Sequence, residues 1–287
     1  MASQFKNYLP FIKFSHTVFA LPFAVIGFFL GTIQPGFHFD WLLFLKVVLC
    51  MVFARTSAMA FNRYADRRID SKNERTRNRE IPSGIISTQS ALALVILSSS
   101  LFMLVTWFIN PICFYLSPVA LLVVLGYSYT KRFTSLCHLV LGLGLSLAPI
   151  GAYLAVTGSF DWLPLFFSFT VLCWVSGFDI IYSLQDEEFD KENHLYSLPA
   201  YFGKAKALKL SSILHLFSAV FIILAGCSGN FGIIYWIGVV VFISLLVYQH
   251  TLVRPNDLSK VNLAFFTTNG IASIVFAAFV VAEIASR

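Results

Sequence analysis

Nine runs of about 20 mostly apolar residues, each long enough to cross the hydrocarbon core of a bilayer, decide most of what this chain can become. They lie near residues 14–33, 41–61, 89–109, 111–130, 136–157, 161–182, 206–228, 231–250 and 262–284. A backbone inside lipid has to satisfy its own hydrogen bonds, so runs of this length are helices. Of the 287 residues, 58% are hydrophobic and 12% charged, which leaves too little polar surface for a soluble domain. The expected fold is all-α, a polytopic membrane protein of nine transmembrane helices forming one domain over 1–287. The first run is too long for the apolar core of a signal peptide and contains Pro22, so it reads as a span. Pro22, Pro118 and Pro149 are expected to kink their helices, and Gly27, Gly31, Ser98, Gly142 and Gly144 to mark close helix packing.

Charge orients the bundle. Of the 20 basic residues, 17 fall in five segments on one side if the N-terminus is inside, while the opposite loops near 34–40, 158–161 and 228–231 have none. That bias predicts an N-terminus in the cytoplasm, a C-terminus outside, and a bacterial-type inner membrane location. The formal charge of +6 is therefore a matter of topology and does not call for nucleic acid. The five cysteines are scattered and show no metal-ligand spacing.

Two long connections, 62–88 and 183–205, both follow helices that run inward, and each opens on a row of acids. Asn62, Asp66 and Asp70 are spaced by four, and Asp179, Tyr182, Asp186 and Asp190 by three and four, so each set shares a helical face. Paired carboxylates beside cations suit a divalent metal, above all Mg²⁺, which bridges a few carboxylates to phosphate oxygens. With Arg67 and Lys131 near by, the pattern fits a diphosphate leaving group. The plain alternative is solvated acids balanced by Arg63, Arg67, Arg68, Lys72 and Arg75. Two rows in phase with deeper polar groups make that alternative the weaker one.

Arg55 lies two turns deeper than Asn62 on the same face. An arginine at that depth faces a cavity and an anion. The anion is either Asp179 or the carboxylate of a second, membrane-soluble substrate. Tyr127 and Lys131, one turn apart at the end of the fourth run, serve equally well as an interfacial belt or as diphosphate contacts. The polar segment 75–84 is a candidate cap over the site.

These residues resemble a known family. NRYADRRID at 62–70 followed by ERTRNREIPSG at 74–84, and FDIIYSLQDEEFD at 178–190 followed by LYSLPAYFGKAKAL at 195–208, are similar to the two signatures of the UbiA superfamily of intramembrane prenyltransferases. The resemblance implies a nine-helix fold and prenyl transfer from a polyprenyl diphosphate to an aromatic ring. It implies Mg²⁺ held by Asp66, Asp70, Asp186 and Asp190, a diphosphate contacted by Asn62, Arg67, Tyr127 and Lys131, and an aromatic acid held by Arg55. Within the superfamily the chain looks most like the 4-hydroxybenzoate polyprenyltransferase group of ubiquinone biosynthesis. FSHTVFALPFA, ARTSAMAFNR and LSKVNLAFFTTNG resemble the branch linked to menaquinone, for which 1,4-dihydroxy-6-naphthoate is the alternative acceptor. Arg63 stands where the family commonly has an aspartate, and Glu80 where it has a proline. Both departures bear on the acceptor.

The expected chemistry is electrophilic aromatic substitution. The diphosphate leaves, a ring carbon activated by its phenol oxygen attacks the allylic cation, and diphosphate or Asp179 takes the ring proton. A cation-coupled transporter using Arg55 and Asp179 is the rival of another class, but most of the carboxylates sit at one interface instead of the midplane.

Overall fold

The computed structural model describes residues 11–12 and 19–287, which contain eleven α-helices and no strand. They are α1 Leu21–Thr32, α2 Trp41–Asp70, α3 Thr88–Trp107, α4 Pro111–Thr130, α5 Cys137–Thr157, α6 Trp162–Ser183, α7 Glu187–Glu192, α8 Leu198–Phe202, α9 Lys204–Ser228, α10 Ile233–Leu252 and α11 Asn269–Ala285. Eight of the described helical segments are long and apolar enough to cross a membrane. The ninth expected span, 14–33, is represented by α1, which is 12 residues long, and residues 13–18 lie outside the described set.

Local chemistry sets the boundaries. Asp40, Ser87, Asn110, Asp161 and Ser197 each accept a backbone N–H in the first turn of the helix that follows. Pro111 occupies the first position of α4, where its missing N–H costs nothing. Pro22 likewise sits in the first turn of α1, so it starts the described helix and does not kink its middle. Gly158, at φ +66°, ends α5 in the left-handed conformation that a Cβ disfavours.

Close packing holds the bundle, because lipid offers no hydrophobic drive for one helix to leave it for another. A Cβ on Gly27 would run into the backbone of Pro149, and one on Gly31 into Val156, so these two glycines bring α1 against α5. Gly142 does the same for α5 and α6 at Leu172 and Ser176, whereas a Cβ on Gly144 would make only ordinary contact with Val124 of α4. On the other side of α6, the Ser211 hydroxyl donates to the Gly177 carbonyl and Ser218 to that of Thr170, fastening α9. Phe23, Trp174, Phe242 and Phe276 interlock in the core between these helices. A π-helical turn over Leu263–Thr268 precedes α11, and the Asn269 amide donates to the carbonyls of Ala264 and Phe265 that it contains.

Helix length positions the site. The 30 residues of α2 span about 45 Å, well beyond a hydrocarbon core of about 30 Å, so its last turns carry Asn62, Asp66 and Asp70 past the apolar layer. α6 is extended in the same way by a 3₁₀ turn over Leu184–Asp186 and then α7, a continuous rod from Trp162 to Glu192. The second row was expected on one continuous α-helical face, but this turn interrupts it. Three residues per turn in place of 3.6 re-aim Asp186 and Asp190 relative to Asp179.

Candidate active site between the two aspartate rows

Asp66 and Asp70 are each only 5% exposed. The Asn62 amide donates to Asp66 Oδ2 at 3.1 Å, one helical turn along the row. On its other oxygen Asp66 accepts from Arg132 at 3.2 Å, and the same guanidinium nitrogen donates to the Ala65 carbonyl at 2.7 Å. Asp70 accepts from Arg79 at 2.7 Å through Oδ1, while its Oδ2 is enclosed without a hydrogen-bond partner.

In the second row, Asp186 is held by the loop that leaves the first. Arg75 grips it with two nitrogens, at 3.1 and 2.5 Å, and Asn73 donates to it at 3.1 Å. Arg75 also donates to the Tyr182 hydroxyl at 2.8 Å and lies over the Tyr182 ring. Burial alone would weaken the charge on Arg75, but the Asp186 carboxylate and Tyr182 outweigh it and raise its pKa. Asp190 is buried as well.

The loop that leaves the first row therefore binds the second. Segment 71–87 reaches from Asp70 to Asp186, and the Lys131 ammonium acts electrostatically on both Asp66 and Asp190. The Lys131 carbonyl accepts the Tyr196 N–H at 2.7 Å, docking the second long connection onto the end of α4. Within the polar segment expected as a cap, Arg75 pairs with Asp186 and Arg79 with Asp70.

Among the described residues no three His, Cys, Asp or Glu side chains come together as a ready-made metal cage. The carboxylates nonetheless suit Mg²⁺, a hard cation that takes one or two protein oxygens and completes its shell with phosphate and water. The partnerless Asp70 Oδ2 is such an oxygen, already stripped of water. The donor set fits a cation bound jointly with a diphosphate.

Below the rows lies an apolar cavity of about 340 Å³ walled by α2, α4 and α5. Arg55 and Tyr127 supply the polar groups near its inner end, and Leu141, Leu145 and Ala148 line its α5 wall. The Arg55 Nε is enclosed and has no hydrogen-bond partner among the described residues. Of the two anions expected for Arg55, Asp179 forms no ion pair with it among the described residues and accepts instead from His138 Nδ1 at 2.7 Å.

Arg67 is placed differently from expectation. It follows Asp66 by one residue, about 100° around the helix. Its guanidinium turns onto the Tyr64 ring and donates to the Tyr64 carbonyl at 2.6 Å. There it lines a separate cleft with Arg68, Tyr129 and Arg132. Arg132, which lies over Tyr129, is the guanidinium that meets Asp66 instead. Arg79, Asn73, Arg132 and His138 are site residues that sequence periodicity did not single out. Arg63 is buried, within electrostatic reach of Arg79, Asp70 and Glu80. Arg63 Nε and Glu80 Oε2 are both enclosed without partners.

Comparison with known proteins agrees with this geometry. Residues 20–271 match the UbiA prenyltransferase family. A 4-hydroxybenzoate octaprenyltransferase of Shewanella baltica is 32% identical over 77% of this chain and 77% of its own length. One from Vibrio campbellii is 29% identical over 93% and 90%. Among solved structures, a UbiA homologue from Aeropyrum pernix K1 superposes with a TM-score of 0.81 at 28% identity, covering 94% of this chain and 97% of that one. The Archaeoglobus fulgidus homologue bound to DMAPP and Mg²⁺ gives 0.78 at 20% identity over 98% and 100%, which bears on the fold alone. With its paired aspartate rows and helical bundle, the chain belongs to the UbiA prenyltransferase family.

Proposed function

We propose that this enzyme transfers a polyprenyl group from a polyprenyl diphosphate to the ring of an aromatic carboxylic acid of the 4-hydroxybenzoate type, with Mg²⁺ as cofactor. The observation that carries the choice of an acid is Arg55, whose Nε faces no partner in the wall of an otherwise apolar cavity. A neutral acceptor would leave that charge uncompensated, and a carboxylate satisfies it. Asp66, Asp70, Asp186 and Asp190 would hold the metal, which neutralises charge as the diphosphate leaves. Asn62, Tyr127 and Lys131 would join the diphosphate site. Arg75, Arg79 and Arg132 already bind the acids and are placed to turn onto phosphate oxygens. The apolar walls exclude water that would quench the allylic cation.

The curated relatives, named for 4-hydroxybenzoate, support that acceptor. Incubating the purified protein in lipid with Mg²⁺, a polyprenyl diphosphate and equal 4-hydroxybenzoate and 1,4-dihydroxy-6-naphthoate tests it by the mass of the product. Prenylated hydroxybenzoate is expected, and exclusive prenylation of the naphthoate would move the protein to menaquinone synthesis. The charge bias further supports a bacterial-type inner membrane location with the site on the cytoplasmic side.

A further inference from the structure

The reaction proposed above needs a group that takes the ring proton, and a buried pair away from the aspartate rows is built for it. His138 on α5 is 3% exposed and donates from Nδ1 to Asp179 Oδ2 at 2.7 Å. Its Nε2 faces the backbone N–H of Leu198 at 3.4 Å and accepts from it. That second bond assigns the proton to Nδ1 and fixes the ring, so imidazole supplies a directed N–H to the Asp179 carboxylate. The Asp179 side chain is 22% exposed, so this carboxylate is reachable although its histidine is not.

Depth places the pair at the reacting ring. Asp179 is seven residues, about 10 Å, deeper than Asp186, where the diphosphate would sit. Arg55 is eleven residues, about 16 Å, deeper than Asp66. An acid with its carboxylate at Arg55 and its ring toward the diphosphate passes the level of Asp179. His138 lies on the α5 face that continues into the cavity wall as Leu141 and Leu145, one and two turns along. Tyr127 and Arg55 both line that wall, and Tyr127 lies within electrostatic range of Asp179.

We propose that Asp179 is the proton acceptor of the prenyl transfer and that His138 is the positioning residue that aims it. The step balances within the site. The C–O bond of the prenyl diphosphate breaks and its electron pair leaves with diphosphate. A C–C bond then forms from the ring carbon beside the phenol carbon. The C–H bond at that ring carbon breaks, its pair restores the aromatic ring, and the proton passes to the Asp179 carboxylate. From there it leaves with diphosphate or water. This inference rests on the aromatic-acid reading.

The test uses 4-hydroxybenzoate deuterated at the two positions flanking the phenol, with Asp179→Asn and His138→Gln in the full-length protein in lipid. Asn keeps the shape of Asp179 and an acceptor for His138 but removes the base. Loss of a positioned base is expected to lower kcat about 10²–10⁴-fold. Binding of a non-hydrolysable prenyl diphosphate analogue should be unchanged. The wild type should show little isotope effect, and Asp179→Asn a clear primary one, because proton loss becomes limiting. His138→Gln should show the same isotope effect with a smaller loss. A near-normal kcat in Asp179→Asn, or a loss without an isotope effect, overturns the assignment. Absence of product from the wild type would overturn the acceptor reading itself, and with it this role for the pair.

Discussion

Replacing Arg55 by Met keeps an apolar stem along the cavity wall and removes only the guanidinium. In the protein this group has an enclosed Nε without a partner, inside an apolar cavity, with Asp179 committed to His138. If its partner is the acceptor's carboxylate, the variant leaves that carboxylate buried and unpaired. Truncating one side of such a charge pair costs about 2–5 kcal/mol. At about 1.4 kcal/mol per tenfold, the acceptor KM should rise roughly 30- to 4000-fold. Folding should not suffer, since an arginine within a span itself costs about 2.5–3.5 kcal/mol on insertion scales. The assay compares kcat and KM for 4-hydroxybenzoate and for its uncharged methyl ester in wild type and variant, alongside thermal unfolding in detergent. The penalty should fall on the acid and spare the ester. An equal loss for both acceptors, or an unchanged KM for the acid, would refute the clamp.

Asp186→Ala should abolish turnover while the protein stays folded, and chelating Mg²⁺ should do the same reversibly; activity surviving both would remove the metal from the proposal. Gly27→Ala should destabilise the bundle by about 1–3 kcal/mol, because its methyl meets the Pro149 backbone and cannot be repacked, and an unchanged melting temperature would contradict that contact. A cysteine at Ser159 should react with an impermeant thiol reagent from outside the cell and one at Asn78 only after permeabilisation. The reverse pattern would invert the orientation drawn from the charge bias.

Particular residues show where sequence reasoning reached and where it stopped. Asp66 and Asp70 were legible because four-residue spacing is a property of one helix and needs no knowledge of its neighbours. Eight spans were legible for a similar reason, since bilayer thickness dictates their length. The position of Arg67 over the Tyr64 ring was not legible, because composition near an acid says nothing of helical phase. The grip of Arg75 on Asp186, 111 residues away, had no periodic signature at all. The 3₁₀ turn before Asp186 was equally invisible, because spacing assumes the helix it is meant to reveal.

A bundle of membrane helices, a charge bias and the spacing of two carboxylate rows are readable along the chain, because each follows from the short-range rules of a single helix in lipid. Tertiary packing alone brings Arg75 onto Asp186, Arg132 onto Asp66 and His138 onto Asp179. Those facts depend on which helix faces which. That is settled where Gly27 and Gly142 let helices approach, and no periodicity along the chain encodes it.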